Sequence, residues 1–134
     1  MPTDRAGLGA AAAEFVTERH VASLVTLRGD GTPHSVAIAF TYDPDAGSVR
    51  VITDGGSVKA RNVRRRGYAA VTQVDGARWI TLEGTARVLD DPETVRDAER
   101  RHAVRYRTPR ENPTRVVIEL TVTRVLQSRA LRAS

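Results

Sequence analysis

Cysteine is absent from this 134-residue chain. That absence excludes disulfides, thiolate nucleophiles and Cys-ligated zinc or iron–sulfur centres. Aromatic residues are scarce: Phe15, Phe40, Tyr42, Tyr68, Trp79 and Tyr106 are the whole set, so a core must be built from Val, Leu, Ile and Ala. No apolar run approaches the ~20 residues that cross a bilayer. The stretch from Leu8 to Val16 is interrupted by Gly9 and Glu14 and lacks the pattern of a secretory leader. The chain is therefore expected to be cytoplasmic, with no membrane partner. Lysine is nearly missing as well: Lys59 stands alone among 21 Lys and Arg residues.

What is present describes one globular domain. Hydrophobic residues make up 40% and charged residues 28%, and the net charge is +5. A chain of this length has room for one small core, which a dimer interface would reinforce. Residues 1–5 read as a loose tail and the rest as a single domain without repeats or low-complexity tracts.

The periodicities predict a mainly β fold with flanking helices. A short amphipathic helix runs from Ala6 to about His20, with Leu8, Ala12, Phe15 and Val16 on one side. Strands follow at Val21–Arg28 and Pro33–Tyr42, joined by Gly29-Asp30-Gly31, and at Ser48–Thr53 after the turn Asp43–Gly47. Gly67 ends a second helix. Two more strands, Tyr68–Val74 and Arg78–Leu89, flank the hairpin signal Asp75-Gly76; in the second, Ile80, Leu82, Gly84, Ala86 and Val88 share one face. Asp91 then caps a helix with Pro92 at its first position, carrying Val95, Ala98, His102 and Tyr106 on one side. A loop at Thr108–Thr114 precedes a last strand marked by Val116, Ile118, Leu120 and Val122. Six short antiparallel strands with brief hairpins predict a small barrel with helices on its flank.

The segment with most chemistry is Thr53-Asp54-Gly55-Gly56-Ser57-Val58-Lys59-Ala60-Arg61-Asn62. It leaves a strand, passes two glycines and enters a helix whose first turn carries a hydroxyl and an ammonium. Tight turns, free N–H groups at a helix start and a cation together make an anion site, suited to a phosphorylated ligand. The same residues also describe an ordinary connection in which Ser57 caps the helix and the arginines form a solvated face. The spacings of His20, His34 and His102 match no helical pair or zinc pattern, and acidic partners are not expected to cluster around them, so no metal is expected. No Gly-x-Ser-x-Gly elbow is present. The basic charge and Arg64-Arg65-Arg66 raise nucleic-acid binding, but a reading motif and stacking aromatics are lacking, so no nucleic-acid partner is expected.

Taken together, Glu18-Arg19-His20, Thr26-Leu27-Arg28 with Gly31-Thr32-Pro33-His34, and Val51-Ile52-Thr53 with Ser57 to Asn62 resemble the split β-barrel superfamily that includes pyridoxamine 5'-phosphate oxidase. The likeness spans roughly Phe15 to Leu126. Gln73 to Trp79, Leu82-Glu83-Gly84, Arg96 to Glu99 and Arg105 to Arg110 look like the mycobacterial biliverdin reductases that use the reduced deazaflavin coenzyme F420.

That resemblance implies a six-stranded antiparallel split β-barrel, a homodimer with cofactor sites at the subunit interface, and a cofactor phosphate held by Thr53, Ser57, Val58, Lys59, Arg61 and Asn62. It implies that Ser35, Val36 and Ala37 run beside the ring system and that Trp79 approaches the cofactor of the neighbouring subunit. The oxidases often carry a second basic residue just before the lysine, where this chain has Val58. This favours F420, with its acidic tail, over flavin mononucleotide (FMN), and Arg61, Arg64, Arg65 and Arg66 could line the tail's path. Biliverdin carries two propionates, for which Arg78, Arg105, Arg107 and Arg110 are candidates by charge and by resemblance. Hydride transfer needs little from side chains, and no proton donor or other catalytic residue is assigned. The alternatives are an FMN-binding oxidoreductase and an F420 carrier that turns over no substrate.

Overall fold

A computed structural model describes residues 7–132; the expected tail at residues 1–5 lies outside them. The elements are α1 (Ala10–Phe15), β1 (Ala22–Leu27), β2 (Pro33–Ile38), β3 (Thr41–Asp43), β4 (Ser48–Asp54), α2 (Val58–Arg65), β5 (Tyr68–Asp75), β6 (Arg78–Leu89), α3 (Pro92–Arg105), β7 (Arg115–Gln127) and α4 (Arg129–Arg132). The strands form one antiparallel sheet in the order β2-β1-β5-β6-β7-β4-β3.

Seven strands replace the expected six. The stretch predicted as one strand from Pro33 to Tyr42 breaks at Ala39-Phe40, and its halves join opposite edges of the sheet. Three Cα steps from Ile38 to Thr41 span at most ~11 Å, so the sheet must curl until its two edges approach. The ladder itself stays open, because β2 and β3 are not paired with each other. Phe40 marks the break: it is 1% exposed and packs inward between the halves.

Other differences are local. Helix α1 covers only Ala10–Phe15 of the expected Ala6–His20. Strand β7 runs to Gln127, and α4 follows it unannounced by the periodicity. Gly67 is not a left-handed cap, since α2 ends as Arg66 turns extended (φ −133°). Gly67 matters instead because a Cβ there would lie 3.0 Å from the Ala86 carbonyl. The turn glycines at 31, 47 and 76 do take positive φ.

The inner face of the curled sheet holds the core, with Phe15, Leu24, Phe40, Val49, Val51, Val71, Ile80, Leu82, Ile118 and Leu120 buried together. On the other side α3 packs against β3, β4 and β7. An ion-pair network lies beneath it: Arg50 bridges Asp97 (2.7 Å) and Glu119 (3.2 Å), Arg87 Nε donates to Glu119 (2.9 Å), and Arg101 Nε donates to Asp97 (2.9 Å). The side chain of Asp91 accepts from Thr94 N at 3.0 Å, confirming the cap read in the sequence.

Candidate cofactor site

Strand β4 delivers Thr53 and Asp54 to the turn that starts α2. Thr53 Oγ1 donates to Ser57 Oγ at 3.0 Å, and Ala60 N donates to the same oxygen at 3.2 Å. Ser57 is thus the N-cap, as in an ordinary strand-to-helix connection. A hydroxyl has two acceptor positions and one donor. Both acceptor positions are filled, and the Ser57 hydroxyl proton has no acceptor among the described residues. The N–H groups of Val58 and Lys59 also lack partners among the described residues, as the first donors of a helix do. The half-buried Lys59 ammonium likewise makes no hydrogen bond or ion pair to a described residue. Capping and anion binding are therefore compatible: one Ser57 oxygen serves the helix while its proton, two N–H groups and Lys59 stay available.

The carboxylate of Asp54 opposes this charge. It accepts from Gly56 N (2.8 Å), from Thr114 Oγ1 and from Asn112 Nδ2 (3.5 Å). The Thr114 hydroxyl, then Gly56 N–H, hold its pKa below the usual carboxylate range. Its oxygens thus join the 108–114 loop to the helix start rather than facing a ligand.

The remaining expected site residues fall into three groups. Asn62 is buried; its amide donates to Thr26 Oγ1 at 3.1 Å and its Oδ1 accepts from Arg65. Its side chain ties α2 to β1. Arg61 is exposed and unpaired among the described residues, whereas Arg64, Arg65 and Arg66 donate to Gly55 O, Asn62 Oδ1 and Gly29 O. The triplet is thus partly occupied, Arg64 with the turn before α2, Arg65 within its own helix and Arg66 with the β1–β2 hairpin.

Ser35, Val36 and Ala37 lie on β2, an edge strand whose outer row of N–H and C=O groups has no neighbouring strand. They line a shallow cavity of about 360 Å³ with Val21, Ser23 and Val74. Trp79 sits opposite Val74 on the same outer sheet face and is 37% exposed. No described cavity of the single chain joins this group to the α2 site.

The four arginines expected to meet propionates differ sharply. Arg78 donates to both oxygens of Glu18 (2.9 and 3.0 Å) and to Asp75 (2.6 Å). Arg78 in turn holds the Glu18 pKa below its ordinary value, with help from His20. Arg105 is half-buried against Phe40 and Tyr106 and donates to Glu18 O, Phe40 O and Gln73 Oε1. Burial lowers its pKa. Arg107 and Arg110 are exposed, and Arg110 borders an open trough of about 1040 Å³ with Arg96, Arg100 and Arg115.

The expectation that no acidic groups gather around the histidines is corrected by the fold. Glu18, His20 and Asp75 bring one ligand atom each within 4.8 Å of one another. Asp75 is remote in sequence and reaches His20 through sheet pairing. Arg78 already bonds both carboxylates, so a cation is built into the cluster. Glu18 and Asp75 are the members that sequence reasoning missed.

Comparison with known proteins adds independent information. The family described as "Pyridoxamine 5'-phosphate oxidase" matches residues 8–129. An F420H(2)-dependent biliverdin reductase of Mycobacterium tuberculosis (strain CDC 1551 / Oshkosh) is 60% identical over 114 residues, covering 85% of this chain and 83% of that protein. Among solved structures, a conserved hypothetical protein of Mycobacterium tuberculosis aligns over 100% of this chain and 94% of its own with a TM-score of 0.79 at 23% identity. A structure titled F420 reductase aligns over 84% and 94% with a TM-score of 0.68 at 22% identity. At such identities the two structures establish the fold alone. Among the described residues no helix is long and apolar enough to cross a membrane.

Proposed function

Because the chain belongs to the pyridoxamine 5'-phosphate oxidase family, we propose that it is an F420-dependent reductase that converts biliverdin to bilirubin. The observation that carries this reading is the high identity, over most of both chains, to a protein bearing that activity in its name. The α2 start supports it chemically: an unpaired ammonium, a hydroxyl proton without an acceptor and two free N–H groups fit one phosphate.

When bound, the cofactor would supply a hydride to the central methine carbon of the substrate, with a proton reaching a pyrrole nitrogen. The chain's own work is to hold and orient. Thr53 positions Ser57; Ser57, Lys59 and the N–H groups of Val58 and Lys59 bind the phosphate; Arg61 attracts the acidic tail. The free edge of β2 at Ser35, Val36 and Ala37 would offer its N–H and C=O groups to the polar rim of the ring. Asn62 acts through packing, keeping α2 in place. Arg107 and Arg110, unpaired and exposed, are better placed for propionates than the committed Arg78 and Arg105.

A homodimer completes this site. The outer sheet face exposes Val21 (67%), Val74 (58%), Leu126 (43%) and Trp79 (37%), an apolar surface that a second copy would cover. Trp79 of one subunit then faces the cofactor of the other.

The test is a titration with oxidised F420 and with FMN, followed by an assay for biliverdin-dependent loss of reduced-F420 absorbance. Preferential F420 binding with turnover supports the reductase. F420 binding without turnover would make the protein a carrier, and FMN binding alone would make it a flavin oxidoreductase. Lys59→Ala is expected to weaken F420 binding by about 1.5–3 kcal/mol, the range for a hydrogen bond to a charged group. An unchanged Kd would refute the phosphate site.

A further inference from the structure

Four buried side-chain polar atoms lack a hydrogen-bond partner among the described residues: His34 Nδ1, Ser48 Oγ, Arg50 Nε and Gln127 Oε1. Three lie away from the α2 site, on β4 and at the end of β7. His34 does not. It stands on edge strand β2, directly opposite Thr26 of β1. Opposed residues of an antiparallel pair project to the same face with Cβ atoms about 5 Å apart. The Thr26 hydroxyl on that face accepts the Asn62 amide at 3.1 Å. Lys59, three residues before Asn62, is its neighbour on the helix surface.

The resulting line runs Lys59, Asn62, Thr26, His34. Its middle members satisfy one another, and both ends carry an unpaired polar group. A buried unpaired nitrogen is costly, and native proteins retain one chiefly where a ligand or water completes it. His34 also immediately precedes Ser35, Val36 and Ala37. It therefore lies between the part of the chain assigned to the ring and the part assigned to the phosphate.

We propose that His34 is a cofactor-contacting residue whose Nδ1 hydrogen-bonds a hydroxyl of the polyol linker joining the ring to the phosphate. This rests on the cofactor reading above. Hydroxyls both donate and accept, so either tautomer of His34 can serve. FMN and F420 share such a linker, so His34 sets affinity for both without choosing between them. Lys59 acts separately, on the phosphate.

The experiment is fluorescence titration of the wild type, His34→Ala, His34→Asn, Lys59→Ala and the His34→Ala/Lys59→Ala double variant with F420 and with FMN. Urea midpoints of the ligand-free proteins are measured alongside. His34→Ala is expected to weaken whichever cofactor the wild type binds about three- to ten-fold, the span of one neutral hydrogen bond. His34→Asn, which sets an amide near the Nδ1 position, recovers part of the loss. Ligand-free stability stays level or rises, because an unpaired buried atom is removed. The double variant's loss equals the product of the single losses, since the two residues hold different ligand atoms.

An unchanged Kd with a lowered urea midpoint would overturn the proposal and make His34 a core residue. A double-variant loss well below the product would place both residues on the phosphate and overturn the linker assignment. Wild-type protein that bound neither F420 nor FMN would fail the cofactor reading itself, and the proposal with it.

Discussion

Replacing Arg105 by Ala separates a structural arginine from a substrate-binding one. Its guanidinium reaches three segments: Nε and Nη2 donate to Glu18 O (2.9 and 2.6 Å), Nη1 to Phe40 O (2.6 Å), and Nη2 to Gln73 Oε1 (2.5 Å). Gln73 is 0% exposed, and its amide in turn donates to Phe15 O at 2.9 Å. The neighbouring Tyr106 hydroxyl donates to His20 O at 2.7 Å. The end of α3 thus clamps the α1–β1 connection, the β2–β3 crossover and β5 together. Truncation strands two backbone carbonyls and the Oε1 of the fully buried Gln73. Each hydrogen bond to a charged group contributes about 1.5–3 kcal/mol. Because the bonds share one donor group they do not add fully, and about 3–5 kcal/mol is expected. An unfolding entropy of ~2.1 cal/mol/K per residue gives ~0.28 kcal/mol/K for this chain, so Tm should fall by roughly 10–18 °C. Arg105→Lys should lose about half as much, since an ammonium cannot span three acceptors. Urea unfolding followed by circular dichroism, at fixed protein concentration, reads the effect. Loss below ~1 kcal/mol combined with a clear loss of biliverdin affinity would refute the clamp and restore the substrate role.

Three further perturbations test other parts of the structure. Asn62→Ala should cost about 1–3 kcal/mol in urea unfolding by stranding the buried Thr26 hydroxyl, with F420 affinity reduced only through movement of α2. Gly84→Ala should be the harshest: the added Cβ would fall 1.9 Å from Thr121 O at the β6–β7 bulge, a backbone clash costing about 3 kcal/mol or more, seen as a collapse of folded yield. Stability should also decline in acid in two stages. Burial lowers the folded His102 pKa below its ordinary 6.5, so its contribution is complete above that value and is lost as pH falls toward the folded pKa; His102→Gln should remove this upper stage. Asp97, held low chiefly by Arg101, loses its contribution only as pH falls from about 4 downward, and the steep limb should remain in the variant.

Much of the architecture is legible in the sequence because its signals are local. Alternation along Arg78–Leu89, the caps Ser57 and Asp91, and the turn glycines each act within a few residues, where backbone sterics and one hydrogen bond decide the outcome. The groups proposed to hold the phosphate belong to the same class, since all of them lie between Thr53 and Lys59. The break at Ala39-Phe40 was not legible: Pro33–Tyr42 alternates like one strand, and only the curl of the sheet sends its halves to opposite edges.

By itself, then, the sequence determined most of the strands, helices α2 and α3, the Ser57 and Asp91 caps and the lone lysine at a helix start. Tertiary structure decided which arginines are free. Arg78 and Arg105 look like Arg107 and Arg110 in sequence, yet their carboxylate and carbonyl partners include Glu18, some 60 and 87 residues away. It likewise decided that His20 has two acidic neighbours and that His34 is left with an unpaired nitrogen. The physical reason is range. Propensity and capping energies are set by neighbours in the chain, whereas the partner of a charged or buried polar group is whatever the folded sheet brings within about 3 Å of it.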